Sequence, residues 1–123
     1  DGKKYLDQQK FKPHYFAISD ASKHFLGKAY RFPAEERTTR ELVTELNGLG
    51  LGDKLISEWS GLFDEMDVIK FTDQMPSIDV SKGLATRILI LSQKTYHQSP
   101  VYREEQQKLM AAHQNKMAKE STK

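Results

Sequence analysis

The chain has 123 residues, a net charge of +2, 37% apolar residues and no cysteine. That length accommodates one domain with one modest core, and the lack of cysteine excludes disulfides, thiol nucleophiles and thiolate metal sites. The longest aliphatic run, Ile88-Leu89-Ile90-Leu91, is far too short to cross a bilayer, and the start carries no signal-peptide pattern.

Residues 1–13 are polar and Lys-rich, with Tyr5, Leu6 and Phe11 as apolar side chains, and read as a linker or frayed helix. Pro13 suits the first turn of a helix. After it, Tyr15, Ile18, Ser22, Phe25, Leu26 and Ala29 share one face at three- and four-residue steps, which predicts a first helix over 14–29. Gly27 weakens that helix or marks a close approach. Tyr30-Arg31-Phe32 precedes Pro33 and is extended, a candidate very short strand.

Thr38 and Glu41 have the spacing of a capping box, and Leu42, Val43 and Leu46 follow as an apolar stripe. Asn47-Gly48 offers the left-handed residue that ends a helix. A second helix over 38–47 is marginal alone, so other elements must bury its stripe. Gly48, Gly50 and Gly52 then make a tight connection, with Leu49 and Leu51 as buried pegs. Asp53 is the expected N-cap of a third helix, whose stripe is Leu55, Ile56, Trp59, Leu62, Phe63 and Met66. Trp59, the only tryptophan, is in register with that stripe and reads as a core residue.

Val68-Ile69-Lys70-Phe71 is β-branched and aromatic and reads as a short strand or extended segment, with residues 30–32 as a candidate partner, though two strands this short are only marginal. Met75-Pro76-Ser77 is a turn with a cap residue. A fourth helix over 77–96 places Leu84, Ile88, Leu91 and Thr95 on one face, with Ala85 and Leu89 beside it. Ser99-Pro100 stops it and starts a fifth. That last helix has sparse apolar residues (Val101, Leu109, Met110 and Met117), which predicts low stability and fraying beyond Met117.

The predicted fold is mainly α. It is a compact bundle of four core helices with at most two very short strands in a winged-helix-like order, plus a loosely attached C-terminal helix. Residues 1–13 form the linker, 14–97 the core domain and 98–123 the tail. The expected core is Ile18, Phe25, Leu42, Leu46, Leu55, Trp59, Leu62, Phe63, Ile69, Phe71, Leu84, Ile88 and Leu91.

Little in the chain points to chemistry. His14, His24, His97 and His113 form no i, i+4 pair and no HExxH, so no metal is expected. Asp64, Glu65 and Asp67 cluster at the end of the third helix. Paired carboxylates do acid/base work only with a positioned partner, and the pattern offers none. Gly48-Leu49-Gly50-Leu51-Gly52 follows a helix instead of a strand, so the context of a phosphate cradle is missing. The expectation is a non-enzyme without a cofactor. A small enzyme acting through Asp64 and Glu65 is the weakest alternative.

Charge is unevenly distributed. Residues 1–40 carry nine Lys/Arg against five Asp/Glu, residues 41–80 two against nine, and residues 81–123 eight against three. In a winged helix the third helix would enter the DNA groove. Here it carries Asp53, Glu58, Asp64 and Glu65 against Lys54, which repels phosphate. Nucleic-acid binding stays as the alternative function. The plainer reading of this pattern is ordinary solvated helix faces; the sharper one is a docking surface for a basic partner protein made by Glu41, Glu45, Glu58, Asp64, Glu65 and Asp67, which project outward or lie at helix ends. In the competing view Arg37, Arg40 and the basic tail neutralise these carboxylates within the molecule.

Glu36-Arg37-Thr38-Thr39-Arg40-Glu41-Leu42 and Met66-Asp67-Val68-Ile69-Lys70-Phe71, followed by Pro76-Ser77, resemble the cytoplasmic domain of bacterial single-pass membrane proteins of the Bat (aerotolerance) type. The resemblance covers roughly residues 14–97 and does not explain 98–123. It implies an adaptor that binds MoxR-type AAA+ ATPases or von Willebrand factor A proteins at the cytoplasmic face of a bacterial inner membrane. It offers no catalytic residues. The first residue is Asp1, so the expectation is a piece of a longer or processed protein whose membrane anchor lies outside this chain. The basic start agrees with a cytoplasmic segment near a membrane span.

Overall fold

Helix α3 (Asp53–Phe71) is the element on which the others converge. Helices α1 (Gln8–Tyr30), α2 (Thr39–Gly48) and α4 (Ile78–His97) all pack on it, and α5 (Pro100–Ser121) rests on α1 and α4. One 3₁₀ turn, Ala34–Glu36, links α1 to α2. This computed structural model describes residues 8–121, with side chains over 12–118. The linker expected over 1–13, with Tyr5, Leu6 and Phe11, lies mostly outside the described residues or side chains. The fold is mainly helical, and no strand occurs among the described residues.

Burial follows the third-helix stripe. Trp59, Phe63 and Met66 are fully buried, with Leu55, Ile56, Leu62 and Ile69 beside them. Leu42 and Leu46 of α2, Leu26 of α1, and Leu84 and Leu91 of α4 close the core from three sides. Phe25, Trp59 and Phe63 form a run of facing rings, with centroids 6.3 and 5.8 Å apart. Aromatic pairs at such distances add to the area that they bury. Ile18, Phe25 and Ile88 are only half-buried and sit at the margin of this core.

The caps are local devices, and most act where the sequence places them. Thr38 and Glu41 form the full capping box of α2. Ser77 Oγ accepts from Val80 N at 3.1 Å to start α4. Ser99 Oγ accepts from Tyr102 N at 3.1 Å with Pro100 at the first helical position of α5. Two details differ. Gly52 is the N-cap of α3, and Asp53 is its first residue, where a carboxylate meets the positive end of the helix dipole. Gly50, at φ 84°, supplies the left-handed residue after α2 that was expected at Asn47-Gly48. Leu51 is then fully inserted and Leu49 half-inserted.

Neither candidate strand forms among the described residues, which the expected upper limit of two allows. Residues 68–71 are the last turn of α3. Ile69 and Lys70 continue the buried stripe of Met66 at helical spacing, and that packing outweighs a weak β preference. Phe71, placed in the core from sequence, is 69% exposed: one further helical step carries it out of the core to the surface, where its ring meets Phe16 of α1 edge-on at 5.8 Å. Residues 30–32 form a helix terminus. Arg31 adopts φ 58° and Phe32 N donates to Gly27 O at 3.1 Å, a Schellman closure. An arginine at the left-handed position hides this motif from a sequence reading that looks for glycine.

Gly27 explains itself in that closure. A Cβ there would stand 2.7 Å from Phe32 O, so the close approach is to the returning backbone. Helix α1 also starts earlier than expected, at Gln8, with Pro13 inside it. The turn before Pro13 is tied to α3: Lys12 Nζ donates to Ile69 O at 3.0 Å, to Lys70 O at 3.3 Å and to Thr72 O. A cation there satisfies the orphan carbonyls at the end of α3 and suits the negative end of its dipole.

Candidate interaction surfaces

The six carboxylates expected to form one docking surface occupy several. Glu41 is exposed, and its Oε1 accepts from Thr38 N at 3.0 Å in the capping box. That backbone hydrogen bond holds its carboxyl below the ordinary glutamate range. Glu45 is half-buried and accepts from Arg37 Nε at 2.5 Å. Asp67 accepts from Thr39 Oγ1 at 2.6 Å and lies 3.6 Å from Lys70 Nζ. Glu65 takes both terminal nitrogens of Arg87, at 3.0 and 2.5 Å. Glu58 and Asp64 form no ion pair among the described residues.

Helical spacing explains the separation. Glu58 and Glu65 are seven residues apart on the α4 side of α3, and Glu58 lines a cleft with Leu62, Arg87, Ile90 and Lys94. Asp64 and Asp67 are three apart on the α2 side, where they line a shallow concavity with Thr39, Arg40 and Val43. Arg37 does meet a carboxylate, as the competing view holds. The tail contributes the opposite sign from the one expected: Glu104 of α5 accepts from Arg31, with Nη1 to Oε1 at 2.7 Å. That contact lowers the Glu104 carboxyl below its ordinary range.

Chemical convergence is lacking. Glu65 is held by Arg87 while Asp64 faces α2, so the two neighbours point to different partners. No group of three or more His, Asp or Glu side chains is placed to hold a metal ion among the described residues. His24 contacts Glu35 at the exposed end of α1, and His97 Nδ1 lies 2.7 Å from Gln93 O. The buried polar groups serve the fold. Lys70 Nζ donates to Ser19 Oγ at 3.3 Å and lies over the rings of Phe16 and Phe71 at 4.7 and 5.1 Å. Such cation–π contacts explain how a lysine that is 8% exposed keeps favourable surroundings.

Helix α5 presents a different kind of surface. Its root is fixed: Ser99 is buried, Val101 and Tyr102 are half-buried, and Tyr96 donates to Glu105. The rings of Tyr96 and His97 meet Tyr102 at 5.3 and 4.9 Å. Beyond that point every residue over 105–118 is exposed, and the helix continues. Leu109, Met110 and Met117 are 63%, 62% and 55% exposed. The sparse apolar residues of the tail were the signal for this in the sequence.

No helix among the described residues is long and apolar enough to cross a membrane. No family model, curated protein or solved structure matches the chain.

Proposed function

We propose that this chain is a non-enzymatic protein–protein interaction domain, an adaptor in which a helical bundle presents the protruding helix α5. The observation that carries this reading is the exposed helical run over 105–118. An isolated helix of that length is marginal in water. Its free energy improves when Leu109, Met110 and Met117 are covered by a partner, as in helix-in-groove recognition. Glu58, on the α4 side of α3, and Asp64, on its α2 side, form no ion pair among the described residues and add secondary contacts to a basic partner.

The resemblance of residues 36–42 and 66–71 to Bat-type proteins supplies the partner class. It is a MoxR-type AAA+ ATPase or a von Willebrand factor A protein, met at the cytoplasmic face of a bacterial inner membrane by a protein whose anchor lies outside this chain. The test is capture of each purified partner by the wild type and by two variants. Leu109→Glu with Met110→Glu and Met117→Glu abolishes capture if α5 is the binding element. Glu58→Lys with Asp64→Lys weakens it if these carboxylates contribute. Capture that survives the α5 variant refutes the role of α5, and salt-sensitive binding of generic duplex DNA in its place would return the chain to the nucleic-acid readers.

A further inference from the structure

Tyr102, Gln106, Leu109, Met110, His113 and Met117 share one face of α5, about 100° wide at the helical repeat. This face turns away from the bundle. Val101 and Glu104, which fasten the root of α5, lie on the other side of the helix: Val101 is half-buried, and Glu104 accepts from Arg31 Nη1 at 2.7 Å. Leu109, Met110 and Met117 are left exposed. At the root the face ends on a ring cluster, with Tyr96 and His97 at 5.3 and 4.9 Å from Tyr102. Its spacing reads the same from either end. One half runs Tyr102, Gln106, Leu109, and the other runs Met117, His113, Met110, so that each half is apolar, polar, apolar at the same steps.

The charges beside this face have the same symmetry. Glu105 and Lys116, eleven residues apart, border it on one side, next to Leu109. Eleven residues are about three helical turns, so the two side chains point in nearly one direction, roughly 16 Å apart along the axis. Glu105 is exposed and accepts the Tyr96 phenol through Oε2. Lys116 is exposed and has no ion pair among the described residues. Lys108 points further round the helix. Arg103, on the opposite border, donates to Gln98 O at 3.3 Å.

We infer that this face is covered by α5 of a second copy, antiparallel, about a two-fold axis between Leu109 and Met110. Such an isologous contact uses every pair twice. It sets Leu109 against the partner's Met110, Gln106 against the partner's His113, and Tyr102 against the partner's Met117. A thioether at an aromatic ring is a favourable contact, and an amide and an imidazole can share a hydrogen bond. Glu105 comes within one helical turn of the partner's Lys116. Parallel pairing would put Glu105 on Glu105 and Lys116 on Lys116. A bilayer surface favours a Lys/Arg-rich polar face and gives Gln106 and His113 no partner inside the apolar one. Four turns of helix bury less than the roughly 1,600 Å² of a standard interface, so the pair is weak and dissociates on dilution. The pair covers the face that the proposed function gives to a partner protein, so that partner binds the monomer and the two associations compete.

Sedimentation equilibrium of the full chain is expected to show the 14.2 kDa monomer turning reversibly into a dimer as concentration rises. Leu109→Glu with Met110→Glu and Met117→Glu, all at exposed positions, is expected to stay monomeric with an unchanged melting temperature. Lys116→Glu alone and Glu105→Lys alone are each expected to weaken the dimer about tenfold. An equimolar mixture of those two variants is expected to restore it, since each chain then carries the charges that the other needs. None of these measurements involves a partner protein, so a failure of capture under the proposed function leaves their result standing. The inference is overturned by a wild type that stays monomeric at millimolar concentration, whether or not vesicles of anionic phospholipid bind α5. Single charge reversals that leave the dimer unchanged, as parallel pairing would, overturn it as well. So does a dimer that survives the triple α5 variant, which would place the contact elsewhere, as in the open groove of about 270 Å³ between α1 and α4 lined by Ile18, Phe25, Ala85 and Ile88.

Discussion

Trp59 Nε1 donates a 2.8 Å hydrogen bond to Thr95 Oγ1 at the centre of the bundle. The same hydroxyl donates to Leu91 O at 2.7 Å, and the Thr95 carbonyl receives the phenol of Tyr30. One fully buried threonine thus joins α3, α4 and α1. Burial raises the Tyr30 phenol above its ordinary pKa, so it stays protonated and able to donate. Trp59→Ala empties the middle of the core and is expected to cost roughly 3–5 kcal/mol. Thr95→Val keeps the shape and strands the indole N–H, and is expected to cost about 1–3 kcal/mol. Paired with Trp59→Phe, it should cost less than the two changes added, because no donor is then left unpaired. Urea denaturation of the four proteins measures the coupling, and strict additivity would show that the bond contributes nothing.

Gly27 and Gly61 predict opposite outcomes for one substitution. At Gly27 an added Cβ collides with the backbone oxygen of Phe32 at 2.7 Å, and backbone cannot swing aside as a side chain can. Gly27→Ala is expected to destabilise by about 1–3 kcal/mol, the range for forced overpacking. Gly61, inside α3, has nothing within 4 Å of the same position. There alanine is expected to stabilise by roughly 0.5–1 kcal/mol through helix propensity. Thermal melts of both variants decide it. A neutral Gly27→Ala would mean that the turn after α1 is free to move.

Glu41 ties α2 to pH. The Thr38 backbone N–H holds its carboxyl below the ordinary value of 4.5. A carboxylate with a depressed folded-state pKa contributes stability that is fully present above its unfolded pKa. That contribution disappears as pH falls through the folded value. The wild type is therefore expected to lose more stability than Glu41→Gln on acidification below 4.5, while above it the wild type is the more stable of the two. Equal acid profiles for the two proteins would show that the cap hydrogen bond favours neither protonation state.

Helix α5 should be the least protected helix. Its residues over 105–118 are exposed, whereas α3 is covered by three neighbours. Local opening free energy follows buried contacts. Hydrogen exchange is expected to be slowest at the amides of Trp59, Leu62 and Phe63 and fastest, among helical amides, beyond Leu109. Binding of a partner to α5 should slow the second group alone. Uniform protection along α5 in the free protein would indicate that its exposed face is already covered.

What the sequence determined by itself is the set of short-range devices. The Thr38–Glu41 box, the Ser77 cap, the Ser99-Pro100 start of α5 and the stripe from Leu55 to Met66 all act between residues three or four apart. Their geometry is written in the helical repeat. Tertiary structure decided whatever depended on distant partners. Residues 68–71 stay helical because α1 covers Ile69 and Lys70, with Lys12 reaching across 57 residues to cap the same turn. The acidic segment looked like one surface because nine carboxylates follow one another within forty residues. Packing sorted them by side, and Arg87 reached Glu65 over 22 residues while Thr39 reached Asp67 over 28. The groove between α1 and α4 was equally invisible. Ile18 and Ala85 are each ordinary on their own helix, and only the packing of two parallel helices, far apart in the chain, sets them on opposite walls of one recess.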